Sequence, residues 1–175
     1  ATNGGDITIE KAVFGSSDES IVLDAHVTGN GTISLGPVGQ ASGTSHTSEI
    51  AGLTATAGGG ITLNGNIKLS HAPISTGVKF NSPVIIGDDT HVTITTDSGG
   101  TDGVINFGSS ISGVGGTDAT LATNESLTID SGSGELTITG NIGATVATAL
   151  NNLKINAEDG SGETAAITIS GDIGT

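Results

Sequence analysis

One pattern recurs along the whole chain: apolar, polar, apolar, then a further apolar residue six positions after the first. It reads ITIEKAV from Ile7 to Val13, ITLNGNI from Ile61 to Ile67, INFGSSI from Ile105 to Ile111, LTITGNI from Leu136 to Ile142 and ITISGDI from Ile167 to Ile173. A shortened copy, ISLGPV, runs from Ile33 to Val38. The steps between successive starts are 26, 28, 44, 31 and 31 residues. A second strand-like segment precedes most copies: IVLDA from Ile21, LTATA from Leu53, VTITT from Val92, LTIDS from Leu127 and LKINA from Leu153. Clusters of Gly, Ser and Asp separate the two kinds of segment and break any continuous strand.

Alternation of this kind sends one face of each segment into a core and the other into water. Ile, Val and Thr suit a pleated surface. A strand of three to five residues cannot bury its face alone, and a period near 30 points to stacking of one coil on the next. The expected fold is therefore all-β, a right-handed parallel β-solenoid of about six coils spanning residues 1–175 as one domain. The long step of 44 residues is read as an inserted part-turn around residues 68–96. An antiparallel β-sandwich, also built of short strands and turns, is the alternative. GATVATALNNL is the one stretch that suits a helical turn.

Composition supports a narrow interior and limits the function classes. The chain holds 30 Gly, 2% aromatic residues and no Cys, Met, Trp or Tyr. There is no Arg, and the cations are Lys11, Lys68, Lys79 and Lys154 against 18 acids, a net charge of −14. Without a cationic patch to release counterions, nucleic acid is not an expected partner, and neither is an anionic membrane surface. No apolar run approaches the roughly 18 residues of a membrane helix. Cations suit this charge.

The segments GSGELTITGNIGATVATALNNLKINA, from Gly132 to Ala157, and NSPVIIGDDTHVTITTDSGGTDGVINFGSSISG, from Asn81 to Gly113, resemble the repeats of large acidic bacterial exoproteins. These are the filamentous-haemagglutinin-like and autotransporter-like adhesins. The resemblance covers about residues 50–175 and lies in the style of repeat, without a catalytic motif. It implies an extracellular or cell-surface β-solenoid that forms fibres or stalks, with contacts to glycans or host surfaces.

Three turns are acidic: GDDTH from Gly87, TDSGGTDG from Thr96 and AEDGSGE from Ala157. Calcium takes six to eight oxygen ligands, often from Asp- and Gly-rich loops. Asp88, Asp89, Asp97 and Asp102 are the candidate ligands, and solvated turn carboxylates are the plainer reading. In three copies of the repeat the corner carries Asn66, Asn141 or Asp172 after a Gly, which suggests a ladder of polar side chains bonded along the rod. His26, His46, His71 and His91 have no zinc spacing, and no nucleophile motif is present. A polysaccharide-active β-helix enzyme needs paired carboxylates or a basic residue beside calcium, and this composition fits it poorly. No cap appears at either end of the pattern, so an uncapped rod stacking head to tail on copies of itself is expected, a non-catalytic structural protein. The alternative is a segment of a larger secreted adhesin.

Overall fold

A computed structural model describes residues 5–15, 19–26, 29–39, 50–69, 77–96, 102–114, 124–145, 148–158, 162 and 165–174. The chain winds through three parallel sheets, which form the three walls of a β-solenoid. The first wall holds β1 (Ile7–Ile9), β3 (Ile33–Leu35), β5 (Ile61–Leu63), β8 (Val84–Ile86) and β11 (Ile111–Gly113). The second holds β6 (Ile67–Lys68), β9 (His91–Thr95), β12 (Ser126–Asp130) and β14 (Asn152–Asn156). The third holds β2 (Glu19–Ala25), β4 (Ile50–Ala57), β7 (Gly77–Phe80), β10 (Val104–Phe107), β13 (Leu136–Ile138) and β15 (Ile167–Ile169). Every pairing between named strands is parallel, which rules out the antiparallel sandwich.

Each wall is an in-register row. On the first, Ile7, Ile33, Ile61, Val84 and Ile111 stack directly, and isolated bridges extend the row to Ile142 and Ile173. On the third, Ile21, Leu53, Val78, Ile105, Leu136 and Ile167 do the same. The second wall begins as single bridging residues, Val13 and Val38, before β6 and β9 take over. All three walls are fully built over about four turns, somewhat fewer than the six expected. The early turns fall short because GPV and its neighbours are too brief to pair as a strand at the second wall.

The alternation predicted from sequence sets the burial. In β5, β8 and β13 the outer residues of the triplet are buried and the middle one is half-buried. Inward Ile, Leu and Val from all three walls form one core running through the rod, with Ile33, Ile61, Ile86, Ile94, Ile105 and Ile129 fully covered. Each such side chain contributes about 1.5–3 kcal/mol on burial. Phe80 and Phe107 occupy adjacent rungs of the third wall, their ring centroids 5.3 Å apart and tilted by 35°.

One expectation is revised. Residues 77–96 do not form an inserted part-turn: β7, β8 and β9 pass through all three walls in register with their neighbours. The 44-residue step arises because the repeat changes corner. ITLNGNI runs from the first wall to the second, whereas INFGSSI, LTITGNI and ITISGDI run from the third wall to the first. The same local turn chemistry serves two corners, so sequence phase alone does not report the wall. Within GATVATALNNL the Thr148 N–H donates to the Thr145 carbonyl at 2.9 Å, and Asn152 and Leu153 belong to β14.

Candidate functional site

The chemistry-bearing residues gather at the corners, where the chain leaves one wall for the next. Between the first and second walls, Asp88 and Asp89 follow β8 and are exposed. Asp89 has a left-handed backbone, φ 51°. Such a conformation is uncommon outside Gly and is tolerated best by Asn and Asp, which explains the acid here. Its Oδ1 accepts from Asn124 Nδ2 at 2.8 Å, one turn on. The Thr90 hydroxyl donates to the Asp88 carbonyl at 3.0 Å.

Asp102 stands at a different corner, between the second and third walls, and is 2% exposed. Its Oδ2 accepts from the backbone N–H of Ser133 at 2.7 Å and from the Ser133 hydroxyl at 2.9 Å. Gly132, at φ 54°, lies against this carboxylate, and a Cβ there would sit 2.3 Å from Oδ2. Thr96 is buried at the same corner and donates its hydroxyl to the Gly103 carbonyl at 2.7 Å. Asp97 lies outside the described residues. Asp102 and the Asp88–Asp89 pair therefore stand at separate corners and are not brought together. Among the described residues no group of three or more His, Cys, Asp or Glu side chains is placed to hold a metal.

The ladder residues divide in the same way. Asn66, at the first-to-second corner, accepts from the Thr93 N–H at 2.8 Å. Asn141, at the third-to-first corner, accepts from the Asp172 N–H at 3.0 Å. Each ties one turn to the next, on two separate rows where a single row was expected. Sequence reading missed most of their companions. Asn64 Nδ2 donates to Ser34 Oγ, Asn81 Nδ2 to Thr56 Oγ1 and Asn156 Nδ2 to Asp130 Oδ1, each at 3.0 Å. The Asp6 carboxylate accepts from both the N–H and the hydroxyl of Thr32 at 2.8 and 2.9 Å. The signal was available, since the partners lie 25 to 31 residues apart, one coil length.

The two described histidines, His26 and His91, lie in different turns. His91 Nδ1 meets Ser126 Oγ across adjacent turns, His26 is exposed in a turn, and His46 and His71 lie outside the described residues. Glu125, which sequence reading did not single out, is 2% exposed, and its Oε2 has no hydrogen-bond partner. It packs beside Gly113, where a Cβ would come within 3.2 Å of that oxygen.

The described rod also carries apolar surface at its first and last turns. Phe14 is 54% exposed beside a groove of about 340 Å³ lined by Val13, Gly15, Glu19, Ile21 and Ile50. Leu136 is 0% exposed and Ile142 2%, and one turn later Ile167 and Ile173 are 48% and 55% exposed. Among the described residues no helix is long and apolar enough to cross a membrane.

Fold and corners together define a three-walled β-solenoid repeat protein. No family model, curated protein or solved structure matches the chain.

Proposed function

We propose that the chain is a non-catalytic structural protein of the extracellular space or cell surface, whose solenoids stack end to end into a filament. One observation supports this reading: the first-wall row from Ile7 to Ile173 stacks in unbroken register, so that each turn is covered only by the turns on either side of it. Burying such rows is what each turn does for its neighbour, and another copy supplies the same cover. The sheets support it. β2 and β15 are the two edges of the six-stranded wall, and both run in the same sense, so one copy's edge is complementary to another's. A contact of this kind is heterologous and propagates without closing. The net charge of −14 keeps such rods apart sideways, and calcium is the cation suited to bridging them.

A second reading has the chain as part of the stalk of a larger secreted adhesin, with further turns of one polypeptide covering the same rows. The unbroken register of the first wall from Ile7 to Ile173 favours it equally. Negative-stain electron microscopy of the purified chain, with calcium and then with chelator, separates the two. Fibres a single solenoid wide support the filament, and their loss in chelator assigns metal to the joints. Short uniform particles in both conditions overturn it in favour of the stalk.

A further inference from the structure

We infer that the rod binds a calcium-like cation in its interior, beside Gly113, between the Glu125 carboxylate and the Ala149 carbonyl. The site lies within one chain, so it holds whether or not rods stack.

A row on the first wall loses its side chain at this level. Leu35, Leu63 and Ile86 stack in register, all inward and buried, and their next partner is Gly113. Ile111, on the same strand, keeps the apolar pattern and is fully buried. The slot at Gly113 is therefore interior space in a row otherwise filled by Leu and Ile. Two oxygens border it. A Cβ on Gly113 would meet the Ala149 carbonyl oxygen at 2.9 Å and Glu125 Oε2 at 3.2 Å. Both atoms face the volume that a side chain fills in the preceding turns.

The backbone fixes Glu125 in this position. The N–H of Ser126, its neighbour in β12, donates to the Thr90 carbonyl of the preceding turn at 3.1 Å. The Glu125 carbonyl accepts from the Asn151 N–H of the following turn at 2.8 Å. The side chain between them is 2% exposed, and its buried Oε2 receives no hydrogen bond. An ionised carboxylate covered in this way is costly unless a positive charge or donors compensate it. The atom that shares its space is a carbonyl oxygen, which offers no proton. Oxygen donors with one carboxylate suit a hard cation. A carbonyl has two lone pairs, so Ala149 can ligate alongside a hydrogen bond that it accepts. Calcium fits a covered site better than magnesium, which demands strict octahedral geometry and gives up its water reluctantly. Asp88 and Asp89, by contrast, are exposed and keep their water. The ion at Glu125 ties one turn to the next, because Ala149 belongs to the turn that follows.

Two readouts on the purified chain test the site. One is thermal unfolding in calcium, magnesium or sodium at equal ionic strength. The other is directly excited europium luminescence, whose lifetimes in light and heavy water count the waters left on the ion. The unfolding midpoint of the parent should rise by a few degrees for each tenfold excess of calcium over its dissociation constant, and by less in the other two salts. Europium should show a class of ion with few waters. Glu125→Gln keeps the shape and removes the charge. It should lose the calcium-specific rise and the dry europium class, yet unfold no earlier than the parent in chelator. Gly113→Ala is an independent check, since its methyl group takes the place of the ion in a row that carries Leu and Ile elsewhere. It should fold and lose both responses. Asp88→Asn with Asp89→Asn should keep both. An equal calcium rise in the parent and Glu125→Gln, or loss of the response in the Asp88 and Asp89 variant alone, overturns the site and moves the cation to the exposed turns. Absence of a calcium-specific rise in the parent overturns it outright.

Discussion

Thr32 gives Asp6 two hydrogen bonds, and this small pair carries the clearest pH signature in the molecule. The backbone N–H of Thr32 contributes most and its hydroxyl next, and together they hold the Asp6 carboxyl below the usual carboxylate range against a small opposing effect of desolvation. Because the folded-state value is depressed, the tie is at full strength above the unfolded value, about 3.9. It is lost as pH falls through the lower folded value. A carboxyl NMR titration should show the depressed midpoint, and Asp6→Asn should abolish the acid-induced rise in exchange of the Thr32 amide. Glycines discriminate just as sharply. Gly39 has φ 72°, and a Cβ there would sit 1.7 Å from the Lys68 carbonyl oxygen of the next turn, while Gly5 has nothing within 4 Å. Gly39→Ala should destabilise by more than about 1 kcal/mol from the backbone conformation alone. Gly5→Ala should fall within about 0.5 kcal/mol of the parent in urea melts. The turn role of Asn66, Asn141 and Asp172 was legible in the sequence because Asn and Asp after Gly have a local physical reason to be there. Their division between two corners was not legible, because that depends on which wall the preceding strand joined.

A single rung is the smallest unit whose packing can be tested. Phe80 and Phe107 fill adjacent levels of the third wall, with the small Ala55 on the far side of Phe80. Phe107→Ala should cost about 3–5 kcal/mol, the range for deleting a buried ring. Since each turn rests on its neighbours alone, the loss should also uncouple the two ends of the rod and split one calorimetric transition into two. A single transition of unchanged width would show that the turns cooperate over a longer range. The strands themselves were readable from alternation: Ile61, Leu63, Leu136 and Ile138 are all inward, as their spacing requires. The part-turn around residues 68–96 was misread because VKF and VIIG are too short to announce separate walls. Their pairing with Leu53–Ala55 and Ile61–Leu63 makes them a regular turn.

For the whole molecule, charge governs how rods approach one another. With −14 charges per chain, lateral contact is repulsive at low ionic strength and screened beyond about 8 Å at physiological salt. Static light scattering should rise as salt is added, and more steeply with calcium than with sodium at equal ionic strength. Equal responses to the two cations would argue against bridging by carboxylates. The solenoid class was legible from the period near 30, because stacking one coil on the next buries strands too short to bury a face alone. The number of complete turns was not, since a wall can be marked by one bridging residue such as Val38. The direction of the bonds between turns has a mechanical consequence. The N–H of Ile33 reaches the Gly60 carbonyl, that of Ile61 reaches Pro83 and that of Val84 reaches Ser110, all along the rod axis. Tension applied to the two ends therefore opens these bonds a rung at a time instead of shearing a whole sheet at once. Each rung released frees a loop of 27 to 31 residues, which is about 90 to 110 Å of extended chain. Such a rod lengthens in many small steps under a low, nearly constant force.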